Sequence, residues 1–194
     1  MKNATEKLSK RNGDASFSDL IEKGFMTEAV VNYIALLGWA PKGENEIFTL
    51  EELVKEFSID GLSKSPAIFD AIKLKAINGE YIRKLSADEY LEKAMPYIKQ
   101  AVVKRSDIDF KLLASVLQPR TELFTDIPEQ IDFIDELPEY DTAMYCHKKM
   151  KTTEETSLEA LREVLPVLKA LDDWGVDAIH TALFGLVEKL GVKN

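Results

Sequence analysis

Apolar positions recur at helical spacing through most of the chain. From Thr27 to Leu37, Val30, Tyr33, Ile34 and Leu37 fall at i, i+3, i+4 and i+7, one face of a helix with Thr27 as the expected N-cap and Gly38 as the stop. The Ile47-Phe48-Thr49 run follows the polar stretch Lys42-Gly43-Glu44-Asn45-Glu46. It fits either a short strand or the entry to a helix beginning near Leu50, and the pattern leaves both open. Ser86 and Glu89 have the spacing of a capping box. The helix they open is expected to break at Pro96, which cannot donate into the ladder, and a second short helix then reaches about Lys104. Asp107 is the expected cap of a further helix that turns Leu112, Leu113, Val116 and Leu117 inward and ends at Pro119.

Thr156 and Glu159 have the same capping-box spacing. Leu158, Leu161, Leu165, Leu168 and Leu171 follow down one face, with a kink expected near Val164 because Pro166 interrupts the ladder. Asp177 is the expected start of the last helix, with Ile179, Leu183, Leu186, Val187 and Leu190 inward and Gly191 as its end. Glycine (9) and proline (7) are few and no internal repeat is visible, so the pattern predicts a mainly α protein.

Composition adds that the 194 residues are 45% hydrophobic and 30% charged, which suits one globular domain or two small ones and excludes disorder. No apolar run approaches the roughly 18 residues that span a bilayer, and no apolar core follows the basic residues at the N-terminus. The expectation is neither a membrane protein nor an exported one. The single cysteine, Cys146, cannot form an internal disulfide, so the cytoplasm is the implied compartment. The net charge of −9 argues against general DNA binding, but it is unevenly spread. Residues 1–120 balance 18 basic against 18 acidic side chains, and residues 73–120 hold ten basic and six acidic ones. A polyanionic partner would meet the chain there.

Most candidate chemistry dissolves on inspection. Cys146, His147 and His180 lack the further ligands at workable spacing that a metal site needs, so no metal is expected. Cys146 reads as a partly buried small residue and His180 as a surface or boundary residue. Eight acidic and no basic residues lie between Glu122 and Asp141. Without the tight glycine turn and ligand register of a calcium loop, the run reads as a solvated face. Trp39 and Trp174 read as packing residues and not as platforms for bases. No P-loop, dinucleotide glycine fingerprint, Gly-x-Ser-x-Gly elbow or His-Glu-x-x-His motif is present, so the chain holds no complete enzyme by these signals.

One basic stretch remains, Lys7-Leu8-Ser9-Lys10-Arg11, followed by Asn12-Gly13-Asp14. Its cations and its hydroxyl can hold phosphates, although such a stretch taken alone is more often only a solvated tail. Lys-Leu-Ser-Lys-Arg resembles the second signature loop of class I aminoacyl-tRNA synthetases, usually written KMSKS. Phe25 through Trp39 (FMTEAVVNYIALLGW) is similar to the glutamyl-tRNA synthetase stretch that follows that loop. So are Glu46 to Leu53 (EIFTLEEL), Ser63 to Asp70 (SKSPAIFD) and Asn78 to Arg83 (NGEYIR). These blocks stand in the family's order, and the resemblance is strong to Arg83 and weaker beyond. Asn12, where many members have histidine, and Ala76, where many have tryptophan, depart from the pattern.

The resemblance implies the C-terminal part of a bacterial glutamyl-tRNA synthetase, from the signature loop through most of the anticodon-binding region. It lacks the Rossmann-type domain with its HIGH motif and a last helical segment. It implies a mainly α fold: a stem-contact domain over residues 1–84, helices with little strand, then an α-helical anticodon-binding bundle over residues 85–194, incomplete at its C-terminus. The whole enzyme would join glutamate to its tRNA using ATP with Mg, Lys10 stabilising charge on the phosphates with Lys7 and Ser9 in support. The implied tRNA contacts are Arg120, Lys104, Arg105, Arg83 and Lys84. Arg120 stands in a Pro-Arg turn whose arginine the family uses on the third anticodon base. This chain alone would be inactive and monomeric, with glutamate tRNA as its partner and neither DNA nor a membrane. A stand-alone RNA-binding module and an acidic helical interaction protein are the rival readings of the same residues.

Overall fold

In the computed structural model of the chain, residues 16–191 are described, so the loop Lys7-Leu8-Ser9-Lys10-Arg11 lies outside the described residues. Among these residues all regular structure is helical, with one isolated antiparallel bridge between Trp39 and Leu62, as the mainly α expectation requires. The helices are α1 (Phe17–Glu22), α2 (Thr27–Gly38), α3 (Leu50–Glu56), α4 (Ala71–Lys84), α5 (Ala87–Ala101), α6 (Phe110–Leu117), α7 (Ile127–Gln130), α8 (Glu154–Lys169) and α9 (Val176–Leu190). They fall into two units, Met1–Pro138 and Glu139–Asn194.

In the first unit side-chain caps fix where helices start. Ser16, Thr49 and Ser86 each form a reciprocal capping box with the acidic residue three positions on, and Asp70 accepts from the amides of Ile72 and Lys73. Thr49 thus decides the open Ile47-Phe48-Thr49 segment: it leads into α3 and forms no strand. Helix α2 departs from expectation by one residue. Its N-cap is Met26, which makes no side-chain cap bond, and Thr27 is already helical.

Two further expectations are corrected in this unit. Helix α5 does not break at Pro96 but runs unbroken to Ala101. Tyr90, Ala94 and Ile98, one turn apart and fully buried, anchor the helix on both sides of the proline, and this packing outweighs one missing ladder bond. Helix α6 is capped by Asp109 and not by Asp107, because the Asp107 carboxylate is engaged by the Arg105 guanidinium at 2.9 and 2.5 Å. The buried face also differs from expectation: Ala114 and Leu117 are inside and Leu113 is half-buried against them, while Leu112 and Val116 are exposed.

Besides a small cluster of Trp39, Phe48 and Leu53, two larger apolar clusters share this unit. Leu20, Phe25, Ala29, Val30, Tyr33, Leu74 and Ile77 join α1, α2 and α4; Ile82, Tyr90, Ala94, Ile98, Leu117, Phe124 and Ile127 join the end of α4 to α5, α6 and α7. Fully buried Asn78 sits where they meet. Its Oδ1 accepts the Met26 amide at 2.8 Å and its Nδ2 donates to the Glu122 carbonyl at 2.6 Å, so one side chain ties α4 to two loops. Asn32, also fully buried, accepts the Phe48 amide at 2.8 Å and donates to the Glu46 carbonyl at 2.7 Å. The Tyr81 hydroxyl closes that group against the Phe48 carbonyl and Asn32 Oδ1.

Burial, with Glu28 and Glu52 nearby, pushes the Tyr81 hydroxyl up to about 12, and burial also raises Tyr33 and Tyr90. A phenol whose folded pKa exceeds its unfolded one near 10 contributes stability fully present below that unfolded value. The contribution is lost as pH rises through the folded value. The first unit is therefore expected to lose stability progressively between about pH 10 and 12. Denaturant melts at pH 9, 10 and 11 test this, and Tyr81→Phe should flatten the decline. A pH-independent midpoint over that range would contradict it.

In the second unit α8 and α9 pack on each other beside a 3-10 turn at Thr142–Tyr145. The cap of α8 is Thr153, whose hydroxyl accepts the Thr156 amide, so the expected Thr156–Glu159 box is displaced by one turn. Helix α8 is unbroken through Pro166, and α9 ends at Gly191 in the left-handed region (φ 63°), as glycine there permits. The expected leucine face is largely open: Leu158, Leu161 and Leu165 are exposed, and among the described residues of this unit only Leu186 is buried. Cys146 and Trp174 are exposed as well, against the expectation of packing. This unit is too small to cover such side chains by itself. No helix of the described residues is long and apolar enough to cross a membrane.

Candidate RNA interface

The expected cations divide into two places. Gln118 holds the first together: its side-chain amide Nε2 donates to the carbonyls of Ile82 at 3.1 Å and Leu85 at 2.8 Å, satisfying the end of α4. Arg83 and Lys84 at that end, and Arg120 at the close of the short 3-10 turn Gln118–Arg120, are thereby set in one neighbourhood. Lys104 and Arg105 lie beyond the far end of α5. With 15 residues at 1.5 Å each, that helix is about 22 Å long.

Arg83 lies along α4, its guanidinium donating to Glu80 at 2.7 Å and covering Gly79, where a Cβ would meet Nη1 at 3.0 Å. Lys104 pairs with Glu136 at 2.6 Å, and Arg105 holds Asp107 through two nitrogens. All four of these last groups are exposed, where such pairs are weak and phosphate can displace them. Arg120 and Lys84 differ: both are exposed and neither forms an ion pair among the described residues.

The acidic run is not simply a solvated face. Asp135 accepts the amides of Lys104 at 2.7 Å, Val103 at 2.6 Å and Arg105 at 3.3 Å, which holds its carboxyl below the usual range and shapes the loop presenting Lys104 and Arg105. Asp126 binds Lys75 at 2.8 Å, with Glu122 at 3.9 Å, and the lysine is raised above its ordinary value chiefly by the hydrogen bond to Asp126. Among the described residues no group of three His, Cys, Asp or Glu side chains could hold a metal ion.

The features that fix the Arg120 turn were invisible in the linear pattern. Gln118, Thr121 and Asn78 stand alone in apolar or loop contexts. One signal was available: Asn78 lies between Leu74 and Ile82 on the i, i+4, i+8 face of α4, where an amide must find buried partners.

A helical scaffold with an exposed arginine on a braced turn, unpaired among the described residues, and further cations at both ends of α5 has the charge to meet a nucleic-acid backbone. Comparison with known proteins agrees: residues 80–194 match the anticodon binding domain family, and the chain belongs to it. Residues 1–76 match the catalytic domain of class I tRNA synthetases (E and Q). The glutamate–tRNA ligase of Clostridium acetobutylicum is 54% identical over 194 residues, covering 100% of this chain and 40% of that protein. The ligase of Clostridium botulinum (strain Eklund 17B) is 55% identical over 196 residues, with the same coverage. The chain thus spans about 40% of the length of these curated relatives. A crystal structure of the glutamate–tRNA ligase from Elizabethkingia meningosepticum superposes with a TM-score of 0.73 at 25% identity, over 99% of this chain and 41% of that one. The fold is shared with the Elizabethkingia anophelis enzyme (TM-score 0.71, 23% identity, 99% of this chain and 40% of that one).

Proposed function

We propose that this chain is the tRNA-binding portion of a glutamate–tRNA ligase, residues 1–84 serving as signature loop and stem-contact domain and residues 85–194 as anticodon-binding domain. Arg120 carries the reading: it is an exposed cation without an ion-pair partner among the described residues, on a turn braced by Gln118 and Thr121. Such a guanidinium retains its donor fork for an incoming base. Arg83 and Lys84 beside it, and Lys104 and Arg105 beyond α5, contact the phosphate backbone and set register without reading sequence. Lys7, Ser9 and Lys10 act on the other substrates, ATP with Mg and glutamate, in concert with a catalytic domain. They stabilise phosphate charge electrostatically and form no covalent intermediate. The ligase works as a monomer in the cytoplasm.

Footprinting tests this reading. Glutamate tRNA mixed with the chain should be protected from nuclease in the anticodon loop, and an acceptor minihelix without the anticodon arm should not compete. Protection confined to the acceptor end, or equal competition by the minihelix, would overturn the anticodon assignment.

A further inference from the structure

The aim of Arg120 is set by its backbone alone, because its side chain makes no hydrogen bond or ion pair among the described residues. That backbone is held at its last residue by a three-centre bond. The Thr121 amide is shared between the Leu117 carbonyl at 3.0 Å, a helical bond, and the Gln118 carbonyl at 3.3 Å, a 3-10 bond. The fully buried Thr121 side chain adds a further bond to the same turn. Its hydroxyl donates to the Leu117 carbonyl at 2.9 Å. With its only proton committed there, it must accept from the Tyr90 hydroxyl, 2.7 Å away and also fully buried. Tyr90 is itself buried on α5, its ring tilted 33° against that of Phe124 with ring centres 5.9 Å apart. The proton order Tyr90 to Thr121 to Leu117 gives both buried hydroxyl protons an acceptor, and it runs from the helix α5 scaffold to the residue adjoining Arg120.

We propose that Tyr90 and Thr121 are positioning residues for anticodon selectivity: their hydroxyl pair fixes the Gln118–Thr121 backbone so that Arg120 meets the third anticodon base. This rests on the assignment of Arg120 to that base. A bond between two buried hydroxyls could serve stability alone, and the two roles differ in what their loss does. A stability role lowers activity toward every tRNA alike. A positioning role lowers activity toward the cognate base selectively, and only while Arg120 is present.

The test measures kcat/KM for aminoacylation by the full-length ligase, using glutamate tRNA with cytosine or guanine at the third anticodon position. Tyr90→Phe keeps the ring and removes the bond; it should reduce the cytosine-to-guanine ratio about three- to tenfold, chiefly by raising KM for the cytosine tRNA. Thr121→Val should do the same from the other side, and Thr121→Ser should keep the ratio within about twofold of the parent. In an Arg120→Gln background, Tyr90→Phe should change the ratio no further. Equal loss toward both tRNAs, an unchanged ratio in Tyr90→Phe and Thr121→Val, or additivity with Arg120→Gln would overturn the positioning role. If Arg120→Gln itself leaves the ratio unchanged, the base assignment of Arg120 fails. If Arg120→Gln lowers the ratio and the hydroxyl variants do not, only the role of the pair fails.

Discussion

Replacing Arg120 by glutamine in the full-length ligase is expected to relax discrimination between cytosine and guanine at the third anticodon position by about ten- to a hundredfold, with a smaller loss of overall affinity. The reason lies in the two base edges. An unpaired cytosine presents neighbouring acceptors, O2 and N3, to the donor fork of a guanidinium, whereas guanine presents N1–H and N2–H₂, which face those donors with donors. Glutamine accepts and donates, so it tolerates both. The structure strengthens the expectation because Arg120 forms no ion pair among the described residues, so the variant leaves no carboxylate unpaired there, and the turn is held by its neighbours Gln118 and Thr121. Steady-state aminoacylation with the two tRNAs gives the ratio. Equal loss toward both would make Arg120 a phosphate contact, and no change toward either would make it a surface residue.

Asn78→Leu is expected to destabilise the first unit by about 3 kcal/mol. Leucine is similar in volume, so the loss comes from polar groups: the Met26 amide and the Glu122 carbonyl, bonded to Asn78 at 2.8 and 2.6 Å, would both be orphaned at a fully buried site. Each unmet group costs about 1–3 kcal/mol. Because the chain has two units, the measurement must report on one of them. Trp39, buried in the first unit, supplies that signal once exposed Trp174 is replaced by phenylalanine. For a urea m-value of about 2 kcal/mol/M, the midpoint should fall by about 1.5 M. A loss below about 1 kcal/mol would show that solvent reaches these groups.

Asn78 and Arg120 also mark the boundary between what local pattern conveys and what it omits. Capping boxes at Ser86 and Thr49, the stop at Gly191 and the apolar spacing of α2 and α9 arise from interactions within a few residues, so the linear sequence by itself determined a mainly helical chain and much of its punctuation. The basic excess over residues 73–120 and the motif blocks were legible because both are read residue by residue, and the resemblance of its Pro-Arg turn singled out Arg120.

Tertiary structure decided the rest, through interactions distant in sequence. Pro96 stays inside α5 because Tyr90, Ala94 and Ile98 are buried against other helices, which no local rule about proline contains. Asp135, some thirty residues away, shapes the loop where Arg105 lies, and there the local pairing of Arg105 with Asp107 leaves Asp109 to cap α6. Among the paired cations, Lys104 meets Glu136 only through folding, whereas Arg83 and Arg105 pair with residues three and two positions away. Identity at each position set which groups could bond. Only the packed chain set which groups met, because a buried amide or hydroxyl takes whatever partner the fold places within about 3 Å of it.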